Sequence, residues 1–229
     1  MSNKKGICNI AIDGPAGAGK STLARKLAER LGYVYVDTGA MYRAIAYYAL
    51  LNQLKPMEEI ISHLAVLHIG LRYENGSQRV FINDMDVSDQ IRTAEVSMAA
   101  SRVSAIPEVR TYLFDLQQQL AKKQSVVMDG RDIGTVVLPH ADVKIFLTAS
   151  PQQRAKRRHL ELVEKMGDAA PDFDSVLADV VQRDHQDSTR AVAPLKQAED
   201  AVLLDTTNYD LAESEEALYQ ICKERLNLE

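Results

Sequence analysis

Residues 14–22, Gly-Pro-Ala-Gly-Ala-Gly-Lys-Ser-Thr, restrict this chain more than any other stretch. They fit G-x-x-x-x-G-K-[ST], with Gly14, Gly19, Lys20 and Ser21 in the fixed places and Pro15, Ala16, Gly17, Ala18 and Thr22 completing the loop. Glycines let backbone N–H groups turn toward an anion with no Cβ in the way. Lys20 adds a point charge for β- and γ-phosphates, and the Ser21 hydroxyl is placed to reach Mg²⁺. The context is the required one. Residues 9–12, Asn-Ile-Ala-Ile, read as a short strand before the loop. After it, Leu23, Leu27 and Leu31 mark one face of a helix starting at Lys20. The loop therefore opens a helix, whose N-terminal dipole favours phosphate.

The pattern repeats along the chain. Strands are predicted over 33–36, 125–129, 141–147 and 201–204, with helices between them over 38–52, 57–69, 93–103, from Pro107, from Pro151, over 172–185 and over 210–226. Ser150, Pro151 and Gln153 form a capping-box start, and Asp210 with Glu213 forms another. The expected fold is α/β: a five-stranded parallel sheet with helices on both faces. One excursion interrupts it. Residues 71–74 and 78–82 flank Asn75-Gly76, a type I′ hairpin signal, and residues 85–87 offer a third short strand. Residues 70–92 are thus expected to form a small antiparallel insert within one domain spanning 1–229.

Charge and composition narrow the function. A net charge of −5 argues against bulk electrostatic binding of nucleic acid, so an anion site must come from local basic residues. No apolar run approaches the ~18 residues needed to span a membrane. The N-terminus runs directly into the first strand, and Cys8 and Cys222 lie at opposite ends, so a cytoplasmic enzyme is expected.

In such a sheet, ligands bind beyond the carboxyl ends of the strands. Asp129 emerges there, as either a carboxylate that helps hold Mg²⁺ or a strand-end turn cap. Arg131 and Asp132 follow; a guanidinium between carboxylates suits a phosphoryl group because its planar fork donates bidentately. Arg154, Lys156, Arg157 and Arg158 fit a solvated face paired with Glu161 and Glu164. With the connector 166–171 and a second charged run over 182–190, they also suit a mobile lid over polyphosphate, spanning 154–190. The histidines show no metal spacing.

Several segments in order resemble the bacterial cytidylate kinases: IDGPAGAGKST (12–22), DTGAMYR (37–43), AASRVSAIPEVR (99–110), DGRDIGTVV (129–137) and STRAVAPL (188–195). The resemblance runs nearly end to end. It implies transfer of the ATP γ-phosphoryl group to CMP or dCMP, with Mg²⁺; a monomer is expected. It casts Thr38, Arg43, Arg131 and Arg190 as contacts to the monophosphate and transferring group, and Ser101, Arg110 and Asp132 as the cytosine-reading set. Arg183 and Asp187 resemble the sugar-binding pair, and Arg157 and Arg158 the lid cations. Lys20, Arg131, Arg157, Arg158 and Arg190 would then be the catalytic cations. The cytosine set is chemically sensible: a carboxylate accepts from the exocyclic amine while Ser and Arg donate to the ring acceptors. This chain carries Ser21 where many members have Gly, and Thr38 in place of a frequent Ser.

Overall fold

The computed structural model describes residues 6–54, 57–74 and 77–228. Strands β1 (Asn9–Asp13) and β2 (Val34–Asp37) are joined by helix α1 (Lys20–Leu31). Helices α2 (Thr38–Leu51) and α3 (Met57–His63) lead to β3 (Ile69–Glu74), β4 (Ser77–Ile82) and β5 (Met85–Asp86). Helices α4 (Ala94–Val103) and α5 (Pro107–Lys123) precede β6 (Val126–Gly130) and β7 (Val143–Thr148). Helices α6 (Pro151–Met166) and α7 (Phe173–Thr189), then β8 (Val202–Asp205) and α8 (Leu211–Leu226), complete the chain. Among the described residues no helix is long and apolar enough to cross a membrane.

The main sheet is parallel, in the order β2-β6-β1-β7-β8, and the insert is a separate antiparallel sheet, β3-β4-β5. Alternation along the strands divides the core between the two faces. Ile10, Ile12, Val127 and Ile145 join Leu23, Leu27 and Leu218 under α1 and α8. Ala11, Val126 and Met128 join Met41, Ile45, Val103, Val109 and Leu113 under α2, α4 and α5. The insert's Ile69, Val80 and Ile82 pack into this second cluster, so the small sheet shares the core of the large one.

Four local expectations change. The helix predicted over 57–69 ends at His63; a 3₁₀ turn over Leu64–Val66 follows, and Ile69 already pairs with Ile82. The apolar spacing of Ile60, Ile61, Leu64 and Leu67 outlasts the helix because these side chains keep facing the core through the turn. Helix α7 continues to Thr189, so the run 182–190 is its last two turns rather than a segment beyond it. At α6, Ser150 Oγ caps the Gln153 N–H, but the Ser150 N–H donates to Thr207 Oγ1, leaving the box half made. The α8 box is complete. Finally, the residues after β6 wind into a π turn, Ile133–Val137, which periodicity does not signal. The hairpin expected at Asn75-Gly76 has its turn outside the described residues; β4 joins β5 through Asn83 and Asp84, both at positive φ.

Candidate active site

The glycine loop lies between β1 and α1, at the carboxyl end of the central strand. Gly14 is obligatory: at φ 149° a Cβ would sit 1.9 Å from the Leu147 carbonyl oxygen of neighbouring β7. Gly19 caps α1 in the left-handed region at φ 88°, turning the chain so that Lys20 starts the helix. Lys20 is buried and donates to the Pro15 carbonyl at 2.8 Å. Burial lowers its pKa, and the charge of Arg131 lowers it further.

On β6, the strand paired with β1, stands Asp129. It accepts from Ser21 Oγ at 2.9 Å and from the Tyr35 hydroxyl at 3.1 Å, while its backbone carbonyl accepts from Thr38 Oγ1 at 2.7 Å. Burial raises the Asp129 carboxyl, and the nearby Asp37 charge adds to it. A buried carboxylate with a hydroxyl beside it and a second carboxylate near is the oxygen donor set that Mg²⁺ takes, since that ion asks for one or two protein oxygens and completes its shell with water and phosphate. The residues fit the metal.

Asp37 organises the start of α2. Its carboxylate caps α2 through the Ala40 N–H at 2.9 Å and pairs with Arg43 at 2.8 Å. Its backbone is held in turn by Gln78 of the insert, whose Oε1 accepts from the Asp37 N–H at 2.9 Å and whose Nε2 donates to the Asp37 carbonyl at 3.3 Å. Gln78 carries no sequence signal of this role, because its partner lies on another sheet.

A second group gathers around the turn after β6. Arg131 Nε donates to Asp187 at 2.7 Å. Asp132 pairs on one side with Arg110 and on the other with Arg190 at 3.4 Å, all three largely buried. Arg110 also donates to the Ser104 carbonyl, and the Ser104 hydroxyl to that of Ser101, so Ser101, Arg110 and Asp132 form one connected wall. Arg183 is pushed down to about 10, by burial first, then by Arg131, with Asp187 opposing and Arg43 and Arg158 adding. Burial and Arg110 likewise lower Arg190. Asp187 is held below the usual carboxylate range: burial works against this, but Arg131, Arg183 and Arg190 outweigh it. Among the described residues, the buried Nε atoms of Arg43 and Arg183 have no hydrogen-bond partner. Cations concentrated at a strand edge with donors to spare make a site for a multiply charged anion.

The structure does not bring every expected cation here. Arg157 donates to the Thr206 carbonyl at 2.8 Å and reaches the Tyr209 carbonyl at 3.4 Å, beside the loop after β8. Arg158 pairs with Glu161 at 3.2 Å on the exposed face of α6, within electrostatic range of Arg183. Arg154 is structural. Buried, it donates to the Ala16 and Ala149 carbonyls and grips Asp184 of α7 with both terminal nitrogens. It thereby ties the glycine loop to α6 and α7.

A phosphate loop at the carboxyl edge of a parallel sheet, faced by buried arginines, defines a P-loop phosphotransferase. Comparison with known proteins is more specific. The sequence profile of the family described as "Cytidylate kinase" matches residues 10–224. A cytidylate kinase from Thermosipho melanesiensis is 49% identical over 221 residues, covering 96% of this chain and 99% of its own. One from Caldicellulosiruptor saccharolyticus is 52% identical, covering 90% and 91%. Among solved structures, an uncharacterized protein from Eubacterium ventriosum superposes with a TM-score of 0.51 at 14% identity, covering 95% of this chain and 99% of that one, a likeness of fold alone. The chain belongs to the cytidylate kinase family.

Proposed function

We infer that the protein transfers the γ-phosphoryl group of ATP to CMP or dCMP, giving ADP and CDP or dCDP. The observation that carries this is the cluster of Arg43, Arg131, Arg183 and Arg190 opposite Lys20, with two buried guanidinium nitrogens lacking partners. Phosphoryl transfer through a loose transition state asks mainly for positioning and for charge stabilisation around the migrating group. In this reading residues 14–22 bind the ATP phosphates. Ser21 and Asp129 would hold Mg²⁺, which would supply positive charge to offset the charge that develops on the transferring phosphoryl group. Thr38 and Arg43 take the acceptor phosphate, and Arg131 and Arg190 span acceptor and transferring group. Asp132, oriented by Arg110, accepts from the cytosine amine, with Ser101 beside it. Arg183 and Asp187 face the sugar. Uracil would turn an oxygen toward the buried Asp132, a mismatch that costs several kcal/mol.

The insert of 70–92 forms the wall on the monophosphate side, and residues 154–190 are the lid whose closure excludes water that would otherwise hydrolyse ATP. Arg157 and Arg158 lie on that lid, and closure would bring their charges to the donor phosphates. The enzyme is read as a cytoplasmic monomer with nucleotides as its partners. A coupled ADP-release assay across CMP, dCMP, UMP, AMP and shikimate tests the reading. CMP and dCMP should be used far better than the rest; equal use of UMP would contradict the role of Asp132.

A further inference from the structure

We propose that Asp13 is a positioning residue, clamping the turn that carries Arg131 and Asp132 at a fixed height against the phosphate loop. The proposal rests on the acceptor reading just given. Asp13 is the last residue of β1, 4% exposed, and immediately precedes Gly14. Its Oδ1 accepts from the Ile133 N–H at 2.8 Å and its Oδ2 from the Gly134 N–H at 2.7 Å. No step of the transfer uses this carboxylate. The two amides it holds come directly after Asp132 and begin the π turn Ile133–Val137.

A single π turn is rare and too short to be held by its own bonds alone, so contacts from outside decide where it sits. Its far end has its own anchors: Gln118 donates to the Val137 carbonyl at 2.7 Å, and just beyond the turn Lys144 on β7 donates to the Pro139 carbonyl at 2.6 Å and to Asp200 at 2.9 Å. At the near end Asp13 is the anchor, and it links the donor loop to the acceptor wall through one side chain. Gly134 leaves room for the clamp, because a Cβ there would lie 3.3 Å from Asp13 Oδ2 and 3.2 Å from Lys144 Cδ. Burial holds the Asp13 carboxyl up to about 6 even though two N–H groups pull the other way. A misplacement of about 1 Å between reacting groups can cost on the order of 100-fold in rate.

Two substitutions test this in the full-length chain. Asp13→Asn keeps the shape but turns an amide nitrogen toward one of the two donors. Gly134→Ala keeps the carboxylate and crowds the same contact. Asp13→Asn should lower kcat with CMP about 10-fold or more and Gly134→Ala about 3-fold or more, both narrowing the CMP-to-UMP ratio of kcat/KM, with the ATP KM within about 2-fold. Folded variants with wild-type kcat and preference would overturn the proposal. So would an ATP KM that rises in step, since Asp13 would then serve the phosphate loop itself. Should the Asn variant not fold, the Ala variant decides. Amide hydrogen exchange at Ile133 and Gly134 gives a readout free of activity: protection should fall in Asp13→Asn, and unchanged protection contradicts the clamp. Failure of the wild type to phosphorylate CMP would instead remove the acceptor reading and leave the exchange result standing.

Discussion

Arg131 and Asp132 are neighbours with different work. Arg131 Nε is held by Asp187 at 2.7 Å and its Nη1 by the Gly130 carbonyl at 3.3 Å, which leaves Nη2 for the phosphoryl group in the proposed transfer. Arg131→Ala should lower kcat by roughly 100- to 1,000-fold, the range seen on losing a transition-state donor. Its melting temperature should fall only modestly, because Arg183 and Arg190 still neutralise the Asp187 carboxylate it leaves behind. Near-normal turnover would remove the role. Asp132 lies between Arg110 and Arg190, so Asp132→Asn should raise the CMP KM while leaving the ATP KM nearly unchanged, as steady-state kinetics with each substrate varied would reveal. The phosphate loop, Arg131 and Asp132 were legible in the sequence because their chemistry sits in contiguous motifs at predicted strand ends. Asp13, Gln78 and Arg154 were not. Each acts on backbone atoms contributed by a distant segment, and only the folded chain brings those atoms near.

Elements join this site through a few side-chain clips rather than through broad surfaces. Gln78 grips both backbone atoms of Asp37, and Asp37 in turn aims Arg43. Gln78→Met, similar in volume but without the amide, should raise the CMP KM several-fold and leave the ATP KM unchanged, since only one side of the site loses its support. On the opposite side, Arg154 binds the glycine loop, α6 and α7 together. Arg154→Ala leaves Asp184 unpaired and two carbonyls without a donor, a loss of about 3 kcal/mol by analogy with broken buried pairs. Urea unfolding should register it, and an unchanged midpoint would mean that α6 docks by other contacts. Element order was readable from hydrophobic spacing, but the end of α3 and the π turn after β6 were not. In both, the apolar pattern continues while the backbone changes course, and periodicity records the first without the second.

The molecule as a whole concentrates charge where it costs stability. Asp13 illustrates the sign. Burial raises its carboxyl from 3.8 to about 6, so the folded state keeps this proton to higher pH than the unfolded chain does. The associated stability is present below about pH 4 and lost as pH rises through about 6. From pH 5 to pH 7.5, the wild type should therefore lose on the order of 1 kcal/mol relative to Asp13→Asn, measured by urea unfolding at both values. A difference independent of pH would place the carboxyl near its ordinary value. The parallel sheet and its flanking helices carry that load, with a core on each face to offset it.

Those features come together in a transfer between two nucleotides rather than a hydrolysis. Phosphorus NMR of one reaction containing ATP, CMP and Mg²⁺ follows both at once. One CDP should form for each ADP, with ADP formation falling to near background when CMP is left out. Inorganic phosphate accumulating at the same rate with or without CMP would contradict the assignment of the arginine wall to an acceptor nucleotide.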